Sequence, residues 1–567
     1  MTLSLGISED LFDAGVTLCA DGRVLFASNE ERYTRRKNEG GFPHRSLETA
    51  LRHAGVTLAD IDRICISGLM TPPLPVRAFP RLHDWSYAIK REKRDSALRR
   101  LADAVTFLTP MSHSSPDATA RGWVQWLLPK LARRRLRGLR PGVPMDFVHH
   151  HEAHASAACT LSGYDQALCV TADGMGDGLS LTVSHYDHPG VPRRVWAVPS
   201  RDSFGLFFEI LTEAFGFVPC RDEGKLTGLA AMGDPTRVTL PVPFAFQQGH
   251  LRYTGPHGRA GVAWARDELL ARHGREDVAA WAQRILEDLI VSIAQDHLRK
   301  SGLRRLALAG GVFANVKLNQ RLHELPETDA IFICPNMGDG GLSLGALAAR
   351  GAVEPHKLEH VFLGDGFPER DLEAVLREKG LAFDRPGSIE TRTAELLAEG
   401  KIVARFDGRM EWGPRALGNR SILAPACDPA VPDRLNEQLK RSDFMPFAPA
   451  LPAEDADLYV AGAEPARYAA EFMTVCFRCT PLMAERYPSV VHVDGTARAQ
   501  FVQPGSNPGF HRILTEYRAR TGGGVMLNTS FNMHEEPIVC TPKEAVNAFL
   551  EAGLDGLSLG PFLVPKP

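Results

Sequence analysis

The densest run of titratable side chains in the chain is His149-His150-His151-Glu152-Ala153-His154, four imidazoles and a carboxylate in six residues. Zinc peptidases use H-E-x-x-H, two imidazoles one helical turn apart with a glutamate base beside the first. The register here does not fit, because the residue four beyond His151 is Ala155 and the neighbour of His150 is His151 rather than a glutamate. What remains is His150 and His154, spaced i, i+4 and so about 6 Å apart on one helical face. Such a pair either chelates an ion or merely decorates a helix. Two glycine loops offer further ligands, Asp173 in ADGMGDG and Asp339 in NMGDGG. Two imidazoles with two carboxylates suit Fe, Mn or Zn and are unlike a closed structural zinc site. The competing reading is that both aspartates cap their Asp-Gly turns.

A second constellation lies towards the C-terminus. GRMEWGPRALGNRSILA carries Arg409, Arg415 and Arg420 among Gly413, Pro414 and Gly418, and Lys440 and Arg441 follow. HVDGTARAQFV adds His492, Asp494 and Arg498, and LNTSFNMHEEPIV adds Asn528, Ser530 and Asn532. Guanidinium groups on fixed turns, rather than on amphipathic helices where they pair with Glu, favour two-point binding of phosphate or carboxylate. The basic run Lys130 to Arg140, just after Trp123 and Trp126, reads either as a phosphate contact or, preferably, as a solvated helix face.

These residues need elements to hold them. LSLGI, then VTLCADGRVLFAS with its Asp21-Gly22 hairpin signal, gives a strand, the loop SEDLFDAG and a hairpin. The layout returns at ALCVTADGMGDGLSLTVSHYD, a strand, an acidic loop from Asp173 to Gly178 and another strand, which hints at a duplicated nucleotide-binding architecture. In LALAGGVFANVKLNQRL a buried strand runs into Gly310-Gly311 and a helix expected to begin near Ala314, where small residues and a helix N-terminus favour a phosphate. The stretch Gly351 to Asp365 reads as a linker. The expected domains are therefore 1–355 and 356–567. Beyond the linker come a helix DLEAVLREKG, a strand KIVARFDG and a helix begun by Thr541-Pro542, with Glu544 at the capping-box position.

The strand and helix runs give an α/β fold class, and the totals describe an ordinary globular enzyme: 567 residues, 44% hydrophobic, 23% charged and a net charge of −3. That charge argues against a nucleic-acid partner. The first residues lack the layout of a secretory signal, and no apolar run has membrane-spanning length, so a cytoplasmic location and no membrane partner are expected. The ten cysteines are scattered apart from Cys476 and Cys479, whose C-x-x-C falls on a predicted strand, so reduced thiols are expected.

Taken in order, VHHHEAHASAA, DEGKLTGLAAMGDP, LAGGVFANVKLNQRL, GDGGLSLGAL, GRMEWGPRALGNRSILA, HVDGTARAQFV and LNTSFNMHEEPIVCTP resemble the O-carbamoyltransferases of the NodU/CmcH type, nearly end to end. The resemblance implies an N-terminal domain of the actin-like ATPase superfold with duplicated halves, similar to the ATPase-fold protein of tRNA threonylcarbamoylation, and a C-terminal YrdC-like domain. It implies that carbamoyl phosphate and ATP, with Mg2+, give carbamoyl adenylate in the second domain. The carbamoyl group then passes, in the first, to a hydroxyl of a small natural product beside Fe(II) or a similar ion. Residue by residue, His150, His154, Asp173 and Asp339 match the family's metal ligands. Gly310, Gly311 and Asn315 match its nucleotide loop, and Glu223 and Lys225 its adenosine segment, with Glu223 assigned to the ribose. Arg415, Arg420, Lys440, Arg441, Arg498, Asn528, Ser530 and Asn532 fall around carbamoyl phosphate and the ATP phosphates. Many relatives carry a His before the Asp of the first loop where this chain has Phe12-Asp13. That leaves Asp13 or His151 as the base. Relatives also read F-R-P-F-A-P where this chain has Phe444-Met445-Pro446, and Arg441 is the residue at hand to compensate. A homodimer is compatible with this reading. The alternative is a tRNA-binding protein of the threonylcarbamoylation type, with Lys130 to Arg140 as its electrostatic footprint.

Overall fold

The computed structural model describes residues 1–79, 82, 122–247, 249–440 and 447–567. The chain divides into two units, one of Met1–Glu30 with Asn38–Lys357, the other of Glu31–Lys37 with Leu358–Pro567. The seven-residue excursion Glu31–Lys37 was not foreseen from sequence.

In the first unit, β1 (Leu3–Ser8), β2 (Gly15–Ala20), β3 (Arg23–Asn29), β4 (Arg63–Ser67) and β5 (Met145–Val148) form a sheet in the order β3-β2-β1-β4-β5. Pairs β1/β2 and β2/β3 are antiparallel, and β1/β4 and β4/β5 parallel. The β2–β3 turn has φ 46° at Asp21 and φ 80° at Gly22, the two positive values that a type I′ hairpin demands. A second sheet joins β6 (Gln166–Gly176), β7 (Leu179–Asp187) and β8 (Arg193–Pro199) to two later strands. A separate hairpin intervenes, β9 (Phe244–Gln247) with β10 (His250–Tyr253), before β11 (Arg305–Ala309) and β12 (Ala330–Ile333). Its order is β12-β11-β6-β7-β8, with β6/β7 and β7/β8 antiparallel and β6/β11 and β11/β12 parallel. The two sheets thus repeat one topology, strand for strand.

A helix follows the fifth strand of each sheet, His150–Ser162 after β5 and Leu342–Ala348 after β12. Both are rich in small residues and almost wholly buried. A Cβ on Gly345 would stand 2.0 Å from the Ala153 carbonyl oxygen, and one on Gly6 2.0 Å from that of Ser343. Glycine at these two positions lets the short helix wedge between β1 and its longer neighbour, closing a core of Cys19, Cys65, Val148, Leu342, Ala346 and Leu347. That wedge brings Asp339, three residues before the short helix, to face His150 and His154. The helix expected near Ala314 starts at Val316, because the Asn315 side chain caps it by accepting from the Leu318 N–H at 3.1 Å.

The second unit is mixed α/β. Its strands are β13 (Val403–Phe406), β14 (Arg420–Pro425), β15 (Ala448–Pro452), β16 (Val460–Ala461), β17 (Phe477–Cys479), β18 (Thr496–Ala497), β19 (Gln500–Val502), β20 (Met526–Ser530), β21 (Gly556–Leu559) and β22 (Phe562–Pro565). Seven form the sheet β19-β15-β20-β14-β13-β21-β22, and β16, β17 and β18 a small second one. The predicted helices appear as Glu369–Glu378 and Pro542–Ala552, the latter with the full Thr541/Glu544 capping box. Among the described residues no helix is long and apolar enough to cross a membrane.

Candidate metal centre and anion pocket

The histidine helix begins where it does because its first N–H groups find acceptors. His149 Nδ1 accepts from the His151 N–H at 3.2 Å, and the Asp177 carboxylate accepts from the His150 N–H at 2.8 Å. Asp177, at φ 50°, also takes the N–H groups of Leu69, Met70 and Thr71 at 2.7–2.9 Å. One buried carboxylate therefore fastens the β6–β7 turn to the loop after β4 and complements the helix dipole. Those backbone donors and the nearby His149 and His150 hold it below the usual carboxylate range against the opposing effect of burial.

His150 and His154 then meet Asp173, which lies near the end of β6 where a loop was expected, and Asp339, in the turn before the short helix. The imidazole Nε2 atoms lie 3.1 Å apart, and Asp173 Oδ2 is 3.0 Å from His154 Nε2 and 3.5 Å from His150 Nε2. Asp339 Oδ1 stands 3.5 and 3.6 Å from the same two nitrogens and, among the described residues, has no partner within hydrogen-bonding geometry. One ligand atom from each of the four residues lies within 4.8 Å of the others. Bonds of about 2.1 Å to one ion would set neighbouring ligand atoms about 3.0 Å apart at right angles and about 3.4 Å apart in a tetrahedron. The observed spacings, the orphaned Asp339 oxygen and the mixed N/O donor set all fit a divalent cation.

The electrostatics point the same way. Burial and the neighbouring Asp173 and Asp10 carboxylates push Asp339 up to about 7. His150 is raised well above its ordinary value because Asp10 and Asp173 outweigh burial, and Asp173 is held well below its own by the two imidazoles, again against burial. Such a nest of anions is what a cation relieves. Asp10 Oδ2 lies 3.4 Å from His150 Nδ1, on the ring's far side, where an outer carboxylate orients a metal-binding imidazole. Gly176 leaves room for that ring, since a Cβ there would fall 2.1 Å from it. Gly176→Ala is therefore expected to turn the imidazole aside and weaken metal retention tenfold or more, about the effect of losing an outer-shell partner, as measured by metal analysis after dialysis.

Of the two candidate bases, His151 is corrected. Its Nε2 lies 3.1 Å from the Leu179 carbonyl oxygen and its Nδ1 2.7 Å from Thr171 Oγ1. A carbonyl only accepts, so Nε2 carries the hydrogen and Nδ1 receives the threonine hydroxyl. Burial and the surrounding histidines hold its pKa well below the usual value, and both nitrogens are committed to the core. Asp13 is placed differently, half-buried at φ 51°, with Oδ1 accepting from Asn38 Nδ2 at 3.1 Å and Oδ2 3.8 Å from where a Gly338 Cβ would lie. It borders the Asp339 loop.

The glycine loop abuts the same centre. Gly310, at φ 105°, presses on the Ala172 carbonyl, and a Cβ on Gly311 would stand 3.2 Å from Asp173 Oδ1. Asn315 Nδ2 donates to Gln283 Oε1 at 2.8 Å and to Thr227 Oγ1 at 3.4 Å, joining the loop to the Glu223–Ala230 helix. At that helix's start Glu223 accepts from the Cys220 N–H at 2.6 Å, and burial raises its pKa to about 7. Lys225 lies 3.7 Å from Asp222 and 5.6 Å from the Phe217 ring centre.

In the second unit the predicted anion residues separate into two sets. Among the described residues neither Arg415 nor Arg498 has a hydrogen-bond or ion-pair partner, and the Nε of each is buried. Burial and the neighbouring Arg498 push Arg415 down to about 9, and burial also lowers Arg498. Two adjacent unpartnered guanidiniums are an anion site in waiting. Asn528 lies against the same loop, its Nδ2 donating to the Ala416 carbonyl at 3.2 Å and to Gln500 Oε1 at 2.8 Å. Arg420, by contrast, is fully buried, stacks 3.7 Å over Phe406 and donates to the Asp407 carbonyl at 2.6 Å and to those of Asn419, Gly408 and Asp365. It is a framework residue. Arg420→Ala should cost about 3 kcal/mol or more by stranding those acceptors, visible as an earlier urea transition. Lys440 is also placed elsewhere, exposed and 2.8 Å from Glu551. Ser530 donates to Asn532 Oδ1 at 2.6 Å, and Asn532 Nδ2 to the Met533 and Glu536 carbonyls at 2.9 and 2.8 Å, shaping the loop after β20. Arg441, with the Phe444–Pro446 departure, lies outside the described residues.

Sequence reasoning missed Glu411, whose Oε1 collects the N–H groups of Leu417, Asn419 and Arg420 at 2.9–3.2 Å and so folds the arginine loop. In the basic run, Arg133 donates to the Val143 carbonyl at 2.6 Å, Arg140 pairs with Asp62 at 2.8 Å, and Arg135 pairs with Glu9. Two of the six cations in that run are therefore paired with carboxylates.

The comparison with known proteins decides the family. The description "Carbamoyltransferase N-terminus" matches residues 4–73 and 129–348, and "Carbamoyltransferase C-terminus" matches residues 394–566. The chain belongs to the carbamoyltransferase family. Nodulation protein NolNO of Sinorhizobium fredii is 33% identical over 98% of this chain and 79% of its own length. Nodulation protein NolO of Bradyrhizobium diazoefficiens is 34% identical over 74% of the chain and 79% of its own. The 3'-hydroxymethylcephem-O-carbamoyltransferase of Amycolatopsis lactamdurans is 29% identical over 63% and 67%. Among solved structures, HypF of T. kodakarensis overlaps 62% of this chain and 48% of its own at 13% identity and a TM-score of 0.35, a likeness too slight to build on. This carbamoyltransferase is of the NodU/CmcH type, and it is a transferase enzyme. Residues 74–128 fall outside the family match.

Proposed function

We propose that this carbamoyltransferase is ATP-dependent and works in two steps. In the second unit, carbamoyl phosphate, water and ATP give carbamoyl adenylate, phosphate and pyrophosphate. In the first, an acceptor hydroxyl displaces AMP and leaves as the O-carbamate. Carbamate alone is a poor acyl donor because its leaving group is an oxide, and the adenylate replaces that with a stable phosphate. The reading is carried by the convergence of the His150, His154, Asp173 and Asp339 ligand atoms within 4.8 Å.

His150, His154, Asp173 and Asp339 would hold Fe(II) or a similar divalent ion, which supplies Lewis acidity to a carbonyl or acidifies a bound hydroxyl. The chain's own groups do the rest. Gly310 and Gly311 keep the backbone bare beside Asp173, so the phosphate of an adenylate can approach the carboxylate side of the centre. Asn315 holds that loop against the Glu223 helix, and Glu223 is the acceptor for the ribose hydroxyls. Asp13, at the rim beside the Asp339 loop, takes the proton of the acceptor hydroxyl. Arg415 and Arg498 bind the phosphate of carbamoyl phosphate, with MgATP beside them. The fold reading is an actin-like ATPase unit whose matching sheets are its duplicated halves, followed by a YrdC-like unit, in a cytoplasmic enzyme with a small natural-product acceptor.

The test uses purified protein loaded with Fe(II), ATP, MgCl2 and carbamoyl phosphate. Carbamoyl-phosphate-dependent release of pyrophosphate, and of AMP when hydroxyl compounds are supplied, is expected. No pyrophosphate across a panel of divalent metals would refute the adenylate route.

A further inference from the structure

The chain enters the second unit twice, first through Glu31–Lys37. That excursion is short but firmly built in. Arg32 is 4% exposed, lies 3.3 Å from Glu31, and donates through Nη2 to the Gly413 carbonyl at 2.7 Å. Gly413 stands at φ 131°, a conformation that side-chain-bearing residues avoid, two residues before the unpartnered Arg415. Arg35 donates to the Ile538 and Pro537 carbonyls at 2.7 Å each and lies 3.4 Å from Glu544 Oε2. That oxygen also accepts from the Cys540 N–H at 2.7 Å. Two arginines thus fasten two loops, one leading into Arg415 and one leading away from Ser530 and Asn532.

The physical need for such a clamp lies in the pocket. Arg415 and Arg498 repel each other and have no hydrogen-bond or ion-pair partner among the described residues, so no described acceptor holds their tips in place. Only the backbone beneath can keep Arg415 turned inward before an anion arrives. Arg32 grips that backbone from a buried position, its charge paired with Glu31 and one N–H given to the Gly413 carbonyl rather than to ligand.

We propose that Glu31–Lys37 is a working part of the second unit's anion pocket, with Arg32 and Arg35 as positioning residues that preset the Gly413–Arg415 and Asn532–Ile538 segments. The inference rests on the reading of Arg415 and Arg498 as the carbamoyl phosphate site.

The experiment uses the full chain and follows carbamoyl-phosphate-dependent ATP–pyrophosphate exchange, with thermal melting alongside. Arg32→Gln is expected to raise KM for carbamoyl phosphate about tenfold with a smaller change in kcat and in KM for ATP. Arg32→Lys, whose ammonium still reaches a carbonyl, should recover part of that loss. Arg35→Gln, at a more exposed site, should raise the same KM about threefold. A merely structural role would lower the melting temperature and leave KM for carbamoyl phosphate alone, and that result overturns the proposal. If Arg32→Gln does not fold, an unchanged KM in both Arg32→Lys and Arg35→Gln overturns it equally. Arg415→Ala separates the two levels: full exchange in that variant would remove the carbamoyl phosphate reading itself, whereas loss of exchange there with normal KM in the Arg32 and Arg35 variants would remove only the clamp.

Discussion

His154→Ala is expected to abolish carbamoyl transfer while leaving adenylate formation intact. The imidazole is buried, and its Nε2 is the nitrogen closest to Asp173, at 3.0 Å. Alanine removes one of four convergent donors and leaves His150 with two carboxylates, a weaker set. Loss of a Lewis acid worth several kcal/mol at the transition state corresponds to roughly a thousand-fold in transfer rate, about 4 kcal/mol. Two readings together check this: metal content per chain, which should fall sharply, and pyrophosphate released from ATP and carbamoyl phosphate, which should stay near the parent value. Loss of both activities in a variant that melts normally would show that the metal centre serves adenylate formation too, against separate sites.

Arg415→Ala should give the converse, a loss of carbamoyl-phosphate-dependent pyrophosphate release of roughly a hundred-fold or more. A guanidinium making two charge-assisted bonds to phosphate supplies about 3 kcal/mol. Stability should behave unusually for a half-buried charge. Among the described residues Arg415 has no acceptor to strand, and its removal relieves the repulsion from Arg498, so the urea transition should hold steady or move slightly upward. Arg420→Ala, five positions along in the same loop, is expected to move it the other way. If Arg415→Ala destabilised the fold as Arg420→Ala does, both would be framework residues and the anion reading would fall.

That pair marks the limit of what the sequence could tell. Arg415 and Arg420 look alike in GPRALGNR, flanked by the same turn glycines. What separates them is Glu411, which gathers three N–H groups and curls the loop so that one guanidinium meets carbonyls and the other meets none. Nothing in spacing foretells which acceptor a buried carboxylate will find. The convergence of His150, His154, Asp173 and Asp339 was easier to foresee, because a helical i, i+4 pair and two Asp-Gly steps at strand ends leave few geometries open. Choosing among three consecutive histidines was harder: His151 differs from His150 only by a rotation about the helix, which turns it to Thr171 and Leu179. Asp10 was readable in principle, since it comes just beyond β1, while Asp173 sits near the end of β6, the matching strand of the other sheet. The excursion at Glu31–Lys37 left no signal, as ERYTRRK looks like any exposed turn until its arginines find carbonyls 381 to 503 residues later.

The matching sheets have one more consequence. Asp10 lies just beyond β1 and Asp173 near the end of β6, the matching strands of the two sheets, and the His150 helix and Asp339 both come after the fifth strand. The four convergent ligand atoms are therefore contributed two by two, the imidazoles from the helix after one sheet and the carboxylates from the other sheet and its following turn. A cation held there would act as a rivet through a seam, and its occupancy and the closure of that seam would become one equilibrium.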